Sequence, residues 1–347
     1  MSQSNAWDTL LNYESHDLVE RSYAARHGRS PKATHVKEIS ACFIQGREYF
    51  SRAATSDRVV KPLLLFYGVM SLSRGAILFL SPDKREDTLN PKHGLSEKGW
   101  RHVFRGTNPD LGELTVVINK TGTLAEFGAA TRFRSLLRHY RSTVMAAYAH
   151  KPIDQEYQVT LGDIVSRLPE LRSHYVRWTP KLNSCTFLEG GAPPSDKVII
   201  QIPKHQEGVV MSEDTIHSIF WSCQHRIVEG SSDPNIFLVE TPNEADTTPI
   251  HWDRIDDILS GIGRVHLVAR FRSGYDLSKP LATYVLAYFL GMLVRYFPSQ
   301  WLSLVRNERG DVSLPTLMKS VSYIEQQFPQ MILDFLEEEP LPPARST

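Results

Sequence analysis

Val59–Leu80, VVKPLLLFYGVMSLSRGAILFL, is apolar on nearly every face. As a helix it makes about six turns. A helix with no polar face belongs in an interior, enclosed by other elements. Its length would also let it cross a bilayer. Lys61, Pro62 and Arg74 inside the run, with no positive-charge asymmetry beside it, favour a core helix and no membrane span.

The residues before it supply a partner. Val36, Ile39, Phe43, Gly46, Phe50 and Ala53 recur in steps of three and four, which predicts a helix over His35–Ala54 with one apolar seam. Gly46 in that seam costs about 1 kcal/mol of helix propensity against Ala, so another chain segment should pass close to it. Asp57 is the expected N-cap of the apolar helix, and Pro62 sits in its first turn, where a missing N–H does no harm. The two helices should form an antiparallel hairpin. Trp7–Tyr13 and Asp17–Arg26 read as a helical lead-in, broken by Gly28 and Pro31.

Ser81-Pro82 ends the central helix, and Asp83–Lys92 reads as a surface loop before His93-Gly94-Leu95-Ser96. Glu113–Asn119 and Thr123–Phe127 are expected to be two strands joined by a Lys-Thr-Gly turn. Thr160–Leu168 reads as a capped helix with Pro169 beginning the next turn. Further strand candidates are Cys185–Leu188, Val198–Ile202, Ile236–Glu240 and Val265–Phe271, with a helical stretch near Ser212–Cys223. Gly190–Asp196, GGAPPSD, is a linker or a long turn within one domain. Lys279–Val305 is a second apolar helix, with Leu281, Tyr284, Val285, Tyr288, Phe289, Met292 and Leu293 on one broad face, and Pro298 must kink or end it. Leu314–Phe328 and Pro329–Leu336 are the last helices. The tail, Glu337–Thr347, is acidic and then proline-rich, a composition that stays disordered.

The expected fold class is α+β. A helical core from residues 35–81 and 279–336 is joined by a mixed middle, 100–275, carrying a small, mostly antiparallel sheet, all in one domain over residues 1–336.

Composition narrows the function without choosing it. Apolar residues are 41% and charged residues 22%, enough for a real core. Lys+Arg and Asp+Glu are both 39, so no global field draws the chain to nucleic acid or membrane. The 3 cysteines, Cys42, Cys185 and Cys223, are far apart and form no CxxC pair, which fits a reducing, cytoplasmic setting. The first residues lack a basic and an apolar region, so no signal peptide is expected. There is no P-loop, GxGxxG, GxSxG, HExxH or EF-hand loop, which argues against the enzyme classes those motifs mark. His251 and Asp253 in PIHWD do not make a metal site by themselves. No metal and no cofactor are expected.

Phe43 with GREYF at Gly46–Phe50, KPLLLFYG at Lys61–Gly68 and HGLS at His93–Ser96 resemble the bacterial YaaC-like family. So do TGTLAEF at Thr121–Phe127, LGDIVSRLPEL at Leu161–Leu171 and LVRYFPSQW at Leu293–Trp301. Order and spacing hold over nearly the whole chain. That family is uncharacterised in activity. The helices over about His35–Leu95 also look like the HEPN superfamily, whose members include ribonucleases of phage-defence systems and catalytically dead binders. The resemblance implies a nucleic-acid- or partner-binding component of a bacterial stress or phage-defence system, or alternatively a metal-independent endoribonuclease. The implied partners are RNA, DNA or a protein encoded in the same operon.

HEPN ribonucleases use an Arg-x4–6-His pair, as phosphate clamp and acid/base. Arg132 or Arg134 with His139 fits that spacing, and Arg132 and His139 would share a helical face. Arg21/His27, Arg29/His35 and Arg167/His174 fit as well, so the pattern alone singles out no site. The same stretch, RFRSLLRHYR, carries Arg132, Arg134, Arg138 and Arg141 with interleaved aromatics, a composition suited to phosphate contact and base stacking. Its competing role is to pair with the acid-rich segment Glu229–Asp257. Arg74, within the apolar helix, and Arg295, near the end of the other, each make a structural bridge or snorkel to the edge, or else are a pair of anion-binding groups facing a cleft. His93 either fixes its turn through a backbone carbonyl or has a catalytic or metal role, for which the sequence shows no partner.

Overall fold

The computed structural model describes residues 6–106, 109–131, 133–135, 147–149, 151–187, 190–192, 197–231, 233–242, 266–308 and 311–337. The first half begins with α1 (Ala6–Leu10), α2 (His16–His27), α3 (Ala33–Thr55) and α4 (Lys61–Leu80). β1 (Leu95–Lys98), α5 (Trp100–Val103), β2 (Thr115–Ile118), α6 (Thr123–Ala130), β3 (Phe133–Ser135), β4 (Ala147–Ala149) and β5 (Tyr157–Thr160) follow. Next come α7 (Leu161–Val165), α8 (Arg172–Trp178), β6 (Cys185–Phe187), β7 (Gly190–Ala192), β8 (Lys197–Pro203), β9 (His205–Gln206), β10 (Val209–Val210) and α9 (Glu213–Ile219). The described chain ends with β11 (Arg226–Val228), β12 (Ile236–Pro242), β13 (His266–Val268), α10 (Lys279–Tyr296), α11 (Pro298–Val305) and α12 (Leu314–Glu337).

α4 is apolar all round because it is enclosed. It packs against α3, α6, α10 and α12. Leu65, Phe66, Val69, Leu72, Ala76 and Leu78 are wholly buried. Length and composition alone would let α4 cross a membrane, but here most of it is buried against other helices. The α3–α4 hairpin is tight at its glycines. A Cβ on Gly46 would lie 2.6 Å from Leu72 Cδ2, and one on Gly68 would lie 2.6 Å from the Phe50 ring. The two apolar helices meet directly, for a Cβ on Gly291 of α10 would lie 2.7 Å from Phe66 Cβ of α4. α10 is buried from Pro280 to Met292 without interruption, and Trp100 stacks on its Phe289 at 5.7 Å and 3°. The chain then turns by 105° at Phe297-Pro298 into α11.

The middle of the chain builds several small antiparallel sheets. β1-β2-β5 presents Val116, Ile118 and Val159 to the helical core. β11-β12-β8-β7 carries a second, smaller apolar cluster, in which Ile200, Ile202 and Val239 meet Ile216 and Ile219 of α9 and Phe220 just after it. β13 pairs with β6, β10 with β9, and β3 with β4.

Four local expectations need correction. Thr123–Phe127 is the start of helix α6, and the strand beside β2 is β1. Threonines at 121 and 123 imitate a strand, but Leu-Ala-Glu-Phe-Gly-Ala-Ala is a helical run, and its first amides are held from outside. Thr123 N–H donates to Lys92 O at 2.9 Å and Leu124 N–H to His93 O at 3.1 Å. Asp57 does not cap α4. It closes the preceding turn, where its carboxylate accepts from Val59 N at 2.9 Å, and the helix starts at Lys61 with Pro62 in its first turn. Pro329 does not begin a new helix. α12 runs through it, buried against its neighbours. Phe133–Ser135 is a strand, so helical spacing does not relate Arg132 to His139 across that segment.

Candidate anion-binding site

α4 has one stripe that its neighbours leave half open. Tyr67, Met70 and Arg74, spaced by three and four, are each half-buried, while Phe66, Val69 and Ser73 beside them are fully covered. Three other segments border that stripe: the middle of α3, the His93 turn, and the last turn of α10.

Arg74 is the most exposed to question chemically. It has no carboxylate and no hydrogen-bond acceptor among the described residues. Its charge is felt by the Cys42 thiol of α3 and the Tyr284 phenol of α10. Both groups are nonetheless driven upward in pKa by burial, the thiol to about 12, so neither is an anion that balances Arg74. The guanidinium therefore sits at the edge of an apolar interior with five N–H donors left to solvent or a ligand.

Arg295 is exposed. It occupies the last turn of α10, where a cation is favoured by the helix dipole. Its Nη1 donates to the Tyr67 hydroxyl at 3.0 Å, and its guanidinium lies 5.0 Å from the centre of the Tyr296 ring. Tyr67 in turn lies 5.6 Å from Tyr49 of α3, the rings tilted by 30°. Tyr49, Tyr67, Arg295 and Tyr296 thus form a row of planar groups from three helices.

His93 stands between the two arginines' elements. Among the described residues its imidazole bonds no backbone carbonyl. Nδ1 lies 3.2 Å from Met70 Sδ, and the ring meets Phe66 edge-on at 5.3 Å. A thioether accepts and cannot donate, so Nδ1 carries the proton and Nε2 the lone pair. Burial first, and then the charge of Arg295, holds the imidazole below its ordinary pKa, which keeps it neutral at neutral pH. The turn itself is fixed by the His93 carbonyl, which accepts from Leu124 N–H at 3.1 Å and from the Tyr284 hydroxyl at 3.3 Å. Gly122, at φ 120°, lets that crossing close, since a Cβ there would stand 2.4 Å from Gly94 Cα. Tyr288, beside His93 at 6.2 Å, is pushed up to about 12, chiefly by burial.

The structure brings three of the sequence candidates, Arg74, His93 and Arg295, to one face of the α4–α10 pair. Of the basic stretch, Arg134 lies on β3, its backbone opposite Tyr148 of β4. Arg132, Arg138, His139 and Arg141 lie outside the described residues, as do His251, Asp253 and residues 243–257 of the acid-rich segment. Within the described part of that segment, Glu240 accepts from Arg226 at 2.9 Å. Among the described residues no three or more His, Cys, Asp or Glu side chains converge to hold a metal ion. Sequence reading missed the tyrosines. Tyr67 lies on the same stripe as Arg74, and marking the least apolar positions of the central helix would have found it. Tyr49 and Tyr296 come from other helices and gave no signal.

The molecule is an α+β protein built on one enclosed helix, with an arginine–tyrosine cluster where that helix reaches the surface. It belongs to the YaaC-like family, whose model, described as YaaC-like Protein, matches residues 10–336. No curated protein and no solved structure matches the chain.

Proposed function

We propose that this chain is a nucleic-acid-binding component of a bacterial stress or phage-defence system, acting in the cytoplasm as one YaaC-like unit. The observation that carries the reading is Arg74: a half-buried guanidinium without an anionic partner among the described residues, on a face that also presents Arg295 and exposed tyrosine. Guanidinium groups match phosphate oxygens in bidentate geometry, and tyrosine faces accept bases. A neutral His93 adds a hydrogen-bond acceptor without adding repulsion. The stretch carrying Arg134 and Arg138 adds further positive charge to the chain.

Titration of labelled RNA and DNA oligonucleotides over a series of salt concentrations tests this. Binding should weaken linearly in log–log form, and each arginine in contact with a single-strand phosphate should contribute about 0.7 to the slope. Arg74→Glu and Arg295→Glu should each weaken binding and flatten the slope, with circular dichroism unchanged. Charge reversal at Arg134 and Arg138 should do the same. Wild-type protein that binds neither RNA nor DNA, or variants with unaltered slopes, would remove the reading. Recovery of a co-encoded protein by the wild type and not by Arg74→Glu would assign the face to that partner instead.

A further inference from the structure

We infer that the site takes a single strand, with bases stacked on the Tyr49–Tyr67–Arg295–Tyr296 row and a neighbouring phosphate on Arg74; this rests on the nucleic-acid reading above. The row is assembled from one tilted ring pair, one hydroxyl bond and one guanidinium over a ring. Tyr49 and Tyr67 are 5.6 Å apart, Arg295 donates to the Tyr67 hydroxyl at 3.0 Å, and Arg295 covers Tyr296 at 5.0 Å. Tyr296 is 57% exposed, so part of its ring is open to a ligand. A duplex buries its base faces in its own stack and offers phosphates to a protein, whereas a single strand offers both faces and phosphates. Arg74 follows Tyr67 by seven residues on α4, about 10 Å along the axis at 1.5 Å per residue. A base on the row can therefore leave its backbone near Arg74. The interior beneath the row is rigid, since α3, α4 and α10 are packed at Gly68 and Gly291, so the platform exists before the ligand arrives.

Three ligands of equal length separate stacking from charge: a single-stranded oligonucleotide of about 12 nucleotides, its duplex, and an abasic strand with the same phosphates. The single strand should bind about tenfold or more tighter than either. Tyr49→Ala and Tyr296→Ala should each weaken single-strand binding by about tenfold and change abasic binding by less than about twofold. Tyr67→Phe keeps the ring but loses the hydroxyl that holds Arg295, so it should weaken single-strand binding by less than Tyr67→Ala does. Equal affinity for single strand and abasic strand, or for duplex, overturns the inference and leaves the wider reading standing. Tyrosine variants that weaken all three ligands alike, or a Tyr67→Phe as damaging as alanine, also overturn it. Failure of every nucleic acid to bind overturns both.

Discussion

His27 and His35 cap the C-terminal end of α4, and His35 answers a gap that Pro82 creates. At the end of α4 the Leu78 carbonyl should accept from the amide four residues on, which is Pro82 and has no N–H. His35 Nε2 fills that position at 3.0 Å, and His27 Nε2 donates to the Phe79 carbonyl at 2.8 Å. A carbonyl can only accept, so both imidazoles carry their proton on Nε2. Burial, the leading cause, lowers the pKa of each below 6.5, with the carbonyl bonds opposing it. The sign follows from linkage. The unfolded chain takes up protons near pH 6.5 while the folded histidines still resist, so stability is full above that pH and falls as the solution is acidified toward the folded pKa. Urea unfolding followed from pH 7.5 to 5 should show this loss. His35→Phe should cost about 1–3 kcal/mol at neutral pH, the price of an orphaned carbonyl, and should reduce the pH dependence. A variant as stable as the wild type at neutral pH would show that solvent caps the helix equally well.

At the scale of elements, the α3–α4 hairpin depends on backbones in close approach. Gly68→Ala raises helix propensity by about 1 kcal/mol, which on propensity alone would stabilise the helix. Its new methyl would stand 2.6 Å from Phe50 Cδ2 and 3.2 Å from Tyr49 Cβ, and overpacking of that kind costs about 1–3 kcal/mol. The melting temperature should therefore drop, and a rise would mean that Phe50 moves aside freely. This hairpin was legible in sequence because its signals are local: period, Gly positions, Pro62 near the start. Thr123–Phe127 was not, because the amides that begin α6 are satisfied by Lys92 and His93, some thirty residues away in the chain. The same limit applied to the site. Arg74, His93 and Arg295 each stood out as an oddity of its own segment, yet only the packing of α10 on α4 puts Arg295 on Tyr67.

At the scale of the whole molecule, two apolar clusters must be held to each other, and two arginines do it. Arg172 of α8, 2% exposed, donates to Gln206 Oε1 at 2.6 Å and to the Gln206 carbonyl at 3.2 Å, and Gln206 continues to Thr186 at 2.6 Å. Arg167, just after α7, donates through Nε to the Ala269 carbonyl at 2.8 Å, through Nη2 to that of Arg270 at 3.1 Å, and through Nη1 to that of Asp163 at 2.9 Å. Its guanidinium also lies 4.4 Å from the centre of the Phe271 ring. One planar group thus satisfies three carbonyls from two segments about a hundred residues apart. A lysine cannot copy that fork, so Arg167→Lys should behave more like Arg167→Met than like the wild type. Each should leave carbonyls buried without donors, at about 1–3 kcal/mol apiece. The loss should be uneven. Hydrogen exchange should quicken first in β6, β8, β12 and β13, while α4 and α10 keep the protection of an interior that does not use Arg167. Uniform acceleration through α4 and the strands together would show that the two clusters open as one unit, and that the arginine contributes to a common core without serving as its joint.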